Sequence, residues 1–126
     1  MKRLAAVALV PLLAVGCGGG GASSVKDNGT VSTTGAAGAQ TATVDMTDTL
    51  VFKPNIINAK VGTVTLLAKN VGLIPHNLVF DDSALGKTGT IDGKKSEPLK
   101  VVFDKAGTFT FVCTFHSGMT GKVVVS

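Results

Sequence analysis

From Thr41 to Ser126 the chain is a succession of short runs rich in Val, Ile, Thr and Phe, broken at intervals of about ten residues by Gly, Pro, Asn and Asp. This punctuation constrains the fold more than any other feature. β-Branched and aromatic residues suit a pleated, half-buried surface, and the residues between them are those that turn a chain. Candidate strands are Ala42 to Thr47, Leu50 to Phe52, Ile56 to Lys60, Thr63 to Asn70, Asn77 to Phe80, Leu99 to Phe103, Thr108 to Cys113 and Gly121 to Val125. Asp81 to Pro98 carries Asp81-Asp82, Gly86, Gly89 and Asp92-Gly93, which predicts loop with one weak strand near Thr88 to Ile91. About eight short strands in roughly 86 residues predict an all-β fold, a Greek-key two-sheet β-sandwich.

Alternation assigns the faces. Phe109, Phe111 and Cys113 share one side of their strand, and Thr108, Thr110 and Val112 the other. His76, Leu78 and Phe80 share a face if extended chain begins at the His, and Met46 alternates into the core of its own strand. A His and a Cys thus each continue an apolar row at the end of a strand, where a site at one pole of a sandwich draws its side chains.

The residues ahead of this domain read differently. Lys2 and Arg3 precede an apolar stretch, Leu4 to Val15, too short to span a bilayer, which takes roughly 20 residues. Residues 1–16 are therefore expected to be a signal peptide. Leu13-Ala14-Val15-Gly16-Cys17 resembles a bacterial lipobox, although Ala14 stands where Leu is commonest, and this implies acylation of Cys17. Gly18 after Cys17 gives no Asp-type inner-membrane retention signal. Residues 17–40, rich in Gly, Ala, Ser and Thr, lack the apolar surface that would offset ordering and are expected to form a flexible tether to a domain at 41–126. The expected location is extracytoplasmic, by a lipid anchor on the periplasmic or cell-surface face of the envelope.

The formal charge of +4 includes Lys2 and Arg3, so little basic excess remains after processing. There is no Arg-rich stripe, Trp or Tyr, and Phe supplies every aromatic residue, which argues against a nucleic-acid partner.

The chemistry is concentrated in Cys113-Thr-Phe-His116-Ser-Gly-Met119. A thiolate, an imidazole and a thioether here fall in one turn between strand-like runs, with Gly118 and Gly121 allowing it to be tight. Two His and one Cys in a trigonal set with a long axial Met suit copper cycling between two oxidation states. His76 is the only other His in the chain and completes that set for one ion. Zinc fits less well, because a thioether is an unusual zinc ligand. Taken singly, Cys113 reads as a buried or disulfide-forming Cys and Met119 as core filler. A copper enzyme needs further His-rich sites, and two His cannot build a second centre, so no enzyme activity is expected. A copper storage or delivery protein stays open, since thiolate and thioether also hold the reduced ion.

Phe111-Val112-Cys113-Thr114-Phe115-His116-Ser117-Gly118-Met119-Thr120-Gly121-Lys122-Val123-Val124-Val125 resembles the last strands and copper loop of a cupredoxin of the amicyanin and plastocyanin-like group. Pro75-His76-Asn77-Leu78-Val79-Phe80 resembles that family's first ligand segment. Phe52-Lys-Pro54-Asn55-Ile56 and Gly62-Thr63-Val64-Thr65 resemble its early strands. The resemblance implies an equatorial set of His76, Cys113 and His116, an axial Met119 and a type 1 (blue) copper centre. It also implies that the side chain of Asn77 ties the ligand loops together. Phe115 departs from the pattern, since many relatives carry Pro there. A monomeric single-electron carrier is implied, exchanging with redox proteins such as a c-type cytochrome or a membrane oxidoreductase. Leu73, Ile74, Pro75, Phe115 and Gly118 are expected to form an apolar patch around His116, while Lys94 and Lys95 are read as solvated loop.

Overall fold

The computed structural model describes residues 25–126. The expected signal peptide, Cys17 and the first residues of the tether lie outside the described residues. Nine strands follow in order: β1 Thr30–Ser32, β2 Gln40–Met46, β3 Phe52–Lys53, β4 Ile56–Ala59, β5 Gly62–Asn70, β6 Val79–Phe80, β7 Ser96–Phe103, β8 Gly107–Val112 and β9 Thr120–Val125. They form two mixed sheets, ordered β1-β4-β9-β8-β6 and β3-β2-β5-β7. β1 with β4, β4 with β9 and β2 with β5 run parallel, and the other pairs are antiparallel. This is the sandwich that the punctuation predicts. No helix among the described residues is long and apolar enough to cross a membrane.

The core lies between the sheets because alternate residues of each strand point inward. β2 buries Ala42, Val44 and Met46, β5 buries Val64, Leu66 and Ala68, and β9 buries Val123 and Val125. Phe111 on β8 is the hub of an aromatic cluster, edge-on to Phe52 at 5.0 Å and to Phe80 at 5.6 Å between ring centroids. Such pairs contribute beyond the area they bury. Gly121 has a packing role here rather than a turn role. A Cβ at this position would strike the Phe111 ring and lie 2.8 Å from the Asn55 backbone oxygen. Gly118, with φ +80°, is the glycine that lets the loop turn.

Several boundaries differ from the sequence expectation: β3 is Phe52–Lys53 rather than Leu50 to Phe52, Leu50 having a turn-like φ of +62°, β6 is Val79–Phe80 rather than Asn77 to Phe80, and the largest changes are at the N-terminal segment and β7. Thr30–Ser32, assigned by composition to the tether, pairs with Ile56–Asn58 as β1, and Gln40 already belongs to β2. These residues are held by hydrogen bonds rather than by apolar area. Asp27 Oδ1 accepts the Gly29 N–H at 2.7 Å, and the Gly29 oxygen accepts the N–H groups of Asn55 and Ile56. Composition averaged over the segment cannot register such ties. β7 also begins at Ser96, ahead of the expected Leu99, and runs through Pro98. It is the edge of its sheet, where a proline nitrogen can face away from the ladder. In the Asp81 to Pro98 stretch the weak strand is reduced to isolated bridges, His76 with Ile91 and Val79 with Lys87, beside a short 3-10 turn at Ser83–Leu85.

Candidate metal centre

His76 sits between β5 and β6, its backbone paired with Ile91 by bonds of 3.1 and 2.7 Å. Two side chains from outside this loop clamp it. Asn70, buried at the end of β5, donates from Nδ2 to the Ile74 oxygen at 2.8 Å and the Ile91 oxygen at 3.0 Å, while its Oδ1 accepts the Gly72 N–H at 3.0 Å. Asp48 Oδ1 accepts the N–H groups of Leu73 at 2.8 Å and Ile74 at 3.0 Å. Those two donors, Ile74 first, hold the Asp48 carboxyl below its ordinary value, because they bind its charged form. A Cβ at Gly72 would run into the Asp48 carboxylate, so a larger residue there would displace this clamp. Sequence reasoning missed both clamps. The available signal was an Asn two residues before Gly, an Asx turn.

The other ligands come from the loop between β8 and β9. The Cys113 N–H donates to the Met119 oxygen at 3.0 Å, and the Met119 N–H to the His116 oxygen at 3.3 Å. These bonds close the loop on itself and bury Cys113 and Met119. The two loops meet at Asn77. Its Oδ1 accepts the Thr114 N–H at 2.8 Å, its Nδ2 donates to Thr114 Oγ1 at 2.7 Å, and its backbone N–H faces Cys113 Sγ at 3.5 Å.

One ligand atom from each of His76, Cys113 and His116 comes within 4.8 Å of the others. Cys113 Sγ lies 3.8 Å from His76 Nδ1, and the two imidazole rings stand 4.9 Å apart at 66°. Nε2 of His116 meets the Pro75 oxygen at 3.2 Å, which leaves Nδ1 as its free nitrogen. His76 is fully buried, and its Nε2 has no hydrogen-bond partner among the described residues. Burial, then the neighbouring His116, pushes the His76 imidazole below its ordinary pKa against the weaker pull of the Thr47 carbonyl and Asp48. The shift favours the neutral imidazole, the form that ligates a metal, and Nδ1 is the nitrogen turned toward Cys113.

The donor set fits a soft transition metal. One thiol, two imidazoles and an adjoining buried thioether match what copper accepts in both oxidation states, and the thioether disfavours zinc. Cys113 forms no disulfide among the described residues. The two ligand loops expose apolar side chains: Leu73 is 73% exposed, Phe115 49% and Ile74 37%, and the Phe115 ring is edge-on to His116 at 6.4 Å. Pro75 and Gly118 are exposed as well. Lys94 is not wholly free in solvent, because its Nζ donates to the Val71 oxygen.

Residues 22–125 match the family model described as a cupredoxin-like domain. Plastocyanin of Tetradesmus obliquus is 34% identical over 86 residues, covering 60% of this chain and 59% of that protein. The chain thus spans less than two thirds of that relative's length. A reduced amicyanin variant is 31% identical, with a TM-score of 0.53 over 72% of this chain and 85% of its own. Auracyanin A, a blue copper protein of Chloroflexus aurantiacus, shares the fold, with a TM-score of 0.62 over 71% of this chain and 100% of its own at 18% identity.

Proposed function

The chain belongs to the cupredoxin-like domain family, and on that premise we propose that it is a mononuclear type 1 copper protein that shuttles single electrons outside the cytoplasm. The observation that carries this reading is the convergence of His76, Cys113 and His116 donors within 4.8 Å, from two loops bonded to each other through Asn77. Copper, when bound, supplies the one-electron couple.

The protein's own residues supply rigidity and access. Asn70 and Asp48 hold the His76 loop, the Cys113–Met119 backbone bond holds the other, and Asn77 holds the two against each other. Ligands fixed in this way rearrange little when the charge on the site changes, and fixed outer contacts keep each ligand in one orientation. His116 is half-buried beside Phe115 and Pro75, and with the exposed Leu73 and Ile74 of the Pro75 loop this supports a small apolar area suited to brief docking. Its partners in this reading are redox proteins such as a c-type cytochrome or a membrane oxidoreductase, met by a monomer.

Location is part of the proposal. The lipobox-like segment ending at Cys17 supports a lipid anchor on the extracytoplasmic face of an envelope membrane, with the Gly-rich residues that follow as the tether. A copper storage or delivery role is the competing reading, because a thiolate and a thioether also hold the reduced ion. The burial of His76, Cys113 and Met119 favours retention over exchange. Rapid redox cycling of the copper-loaded chain beside an apo acceptor protein separates the two. The proposal expects copper to remain bound through many cycles, and transfer of the metal to the acceptor would contradict it.

A further inference from the structure

We infer that Asn55 is a positioning residue for the Met119 segment, and that residues 26–29 belong to the frame of the metal centre. The inference rests on the copper reading, and its test distinguishes failure of one from failure of the other.

Asn55 lies just before β4, with a side chain only 1% exposed. Its Oδ1 accepts the Asn28 N–H at 2.7 Å, and its Nδ2 donates to the Lys26 oxygen at 2.6 Å and the Thr120 oxygen at 3.3 Å. Its backbone repeats the pattern, donating to the Gly29 oxygen at 3.1 Å and accepting the Lys122 N–H at 2.8 Å. One residue therefore joins the N-terminal segment to the start of β9. An amide suits this role, since it carries an acceptor and two donors in one plane.

Thr120 follows Met119 directly, and the Met119 backbone is bonded to both Cys113 and His116. A shift of the Thr120 carbonyl thus moves the thioether relative to the other ligands. Two features make Asn55 decide where that carbonyl lies. Gly121 packs against the Asn55 backbone so closely that a Cβ would come within 2.8 Å of its oxygen, so the strands move together. A cleft of about 200 Å³, lined by Lys26, Asn28, Val51, Asn55, Gly118 and Thr120, opens beside the joint. Packing does not back Thr120 on that side, and the bond from Asn55 Nδ2 holds its carbonyl there. Axial-ligand placement tunes the potential of such a centre, which gives the joint a functional readout.

Gln40 provides a matched control. It is 2% exposed, its Oε1 accepts Thr33 Oγ1 and the Lys60 N–H at 2.8 Å each, and its Nε2 donates to the Lys60 oxygen at 2.8 Å. It is likewise a buried amide stitching the N-terminal residues to the sandwich, but its contacts include none of the metal-centre residues.

The test compares the full copper(II)-loaded chain with its Asn55→Ala, Asn55→Ser and Gln40→Ala variants by thermal unfolding, reduction potential and electron paramagnetic resonance. All three variants are expected to lose stability. The Asn55 variants alone are expected to shift the potential and the rhombicity of the copper signal while keeping the thiolate-to-copper band. Asn55→Ser is the milder change and decides the matter if Asn55→Ala does not fold. Parent-like potential and rhombicity in a folded Asn55 variant would overturn the inference, as would an equal shift in Gln40→Ala. A parent chain without the thiolate band would overturn the copper reading and this inference with it.

Discussion

The two ligand loops are built on opposite plans. The loop carrying Cys113, His116 and Met119 closes through its own backbone, Cys113 to Met119 and Met119 to His116. The loop carrying His76 borrows its order from Asn70, Asp48 and Ile91, which lie outside it in sequence. The first keeps its ligands together because they are neighbours in the chain. The second delivers a single buried ligand only while distant polar groups stay paired. A type 1 site therefore depends on one locally determined arm and one arm set by the whole sandwich.

Substitutions in each arm probe that contrast. Cys113→Ser has the largest expected effect, complete loss of the thiolate-to-copper absorption, read directly in the visible spectrum. Asn70→Ala comes next. It leaves the Ile74 and Ile91 oxygens and the Gly72 N–H without their buried partner, and the expected loss is about 3 kcal/mol in urea unfolding of the apo protein. A loss below about 1 kcal/mol would mean that the His76 loop holds itself and would break the contrast. Gly121→Ala tests the framework under the self-closed loop. The new methyl displaces the Phe111 ring, at an expected cost of about 2 kcal/mol by the same measurement.

Asp48→Asn has the smallest effect and a distinctive pH signature. The folded state holds the Asp48 carboxyl below its ordinary 3.8, so the charged form is the one that folding favours. Its contribution is fully present above that value and is lost as pH falls through the lowered folded value. The amide introduced by Asp48→Asn would keep the acceptor oxygen but not the titration. Apo parent protein should therefore lose more stability between about pH 5 and pH 3 than the variant does. Equal losses would remove Asp48 from the account of the borrowed arm.

The same contrast explains what could be seen in the sequence. Cys113, His116 and Met119 were legible because three rare ligand types fall in one short turn, and His76 followed by count. The inward rows of β8 and of His76, Leu78 and Phe80 were legible from alternation alone. Asn70, Asp48 and Asn55 were not. An Asn or Asp near a turn has many ordinary uses, and these find partners as distant as Thr120, 65 residues from Asn55. β1 escaped for a related reason: Thr30–Ser32 contributes hydrogen bonds to β4 and only a half-buried Val31 to the core. Hydrophobic patterning reports what a strand buries, whereas these elements are defined by what they bond.

The most direct measurement is the visible and electron paramagnetic resonance spectrum of the full chain after addition of copper(II). Two interlocked arms presenting His76, Cys113, His116 and Met119 predict an intense thiolate-to-copper band with narrow copper hyperfine splitting. A colourless product, or the broad splitting of ordinary copper(II), would contradict the account.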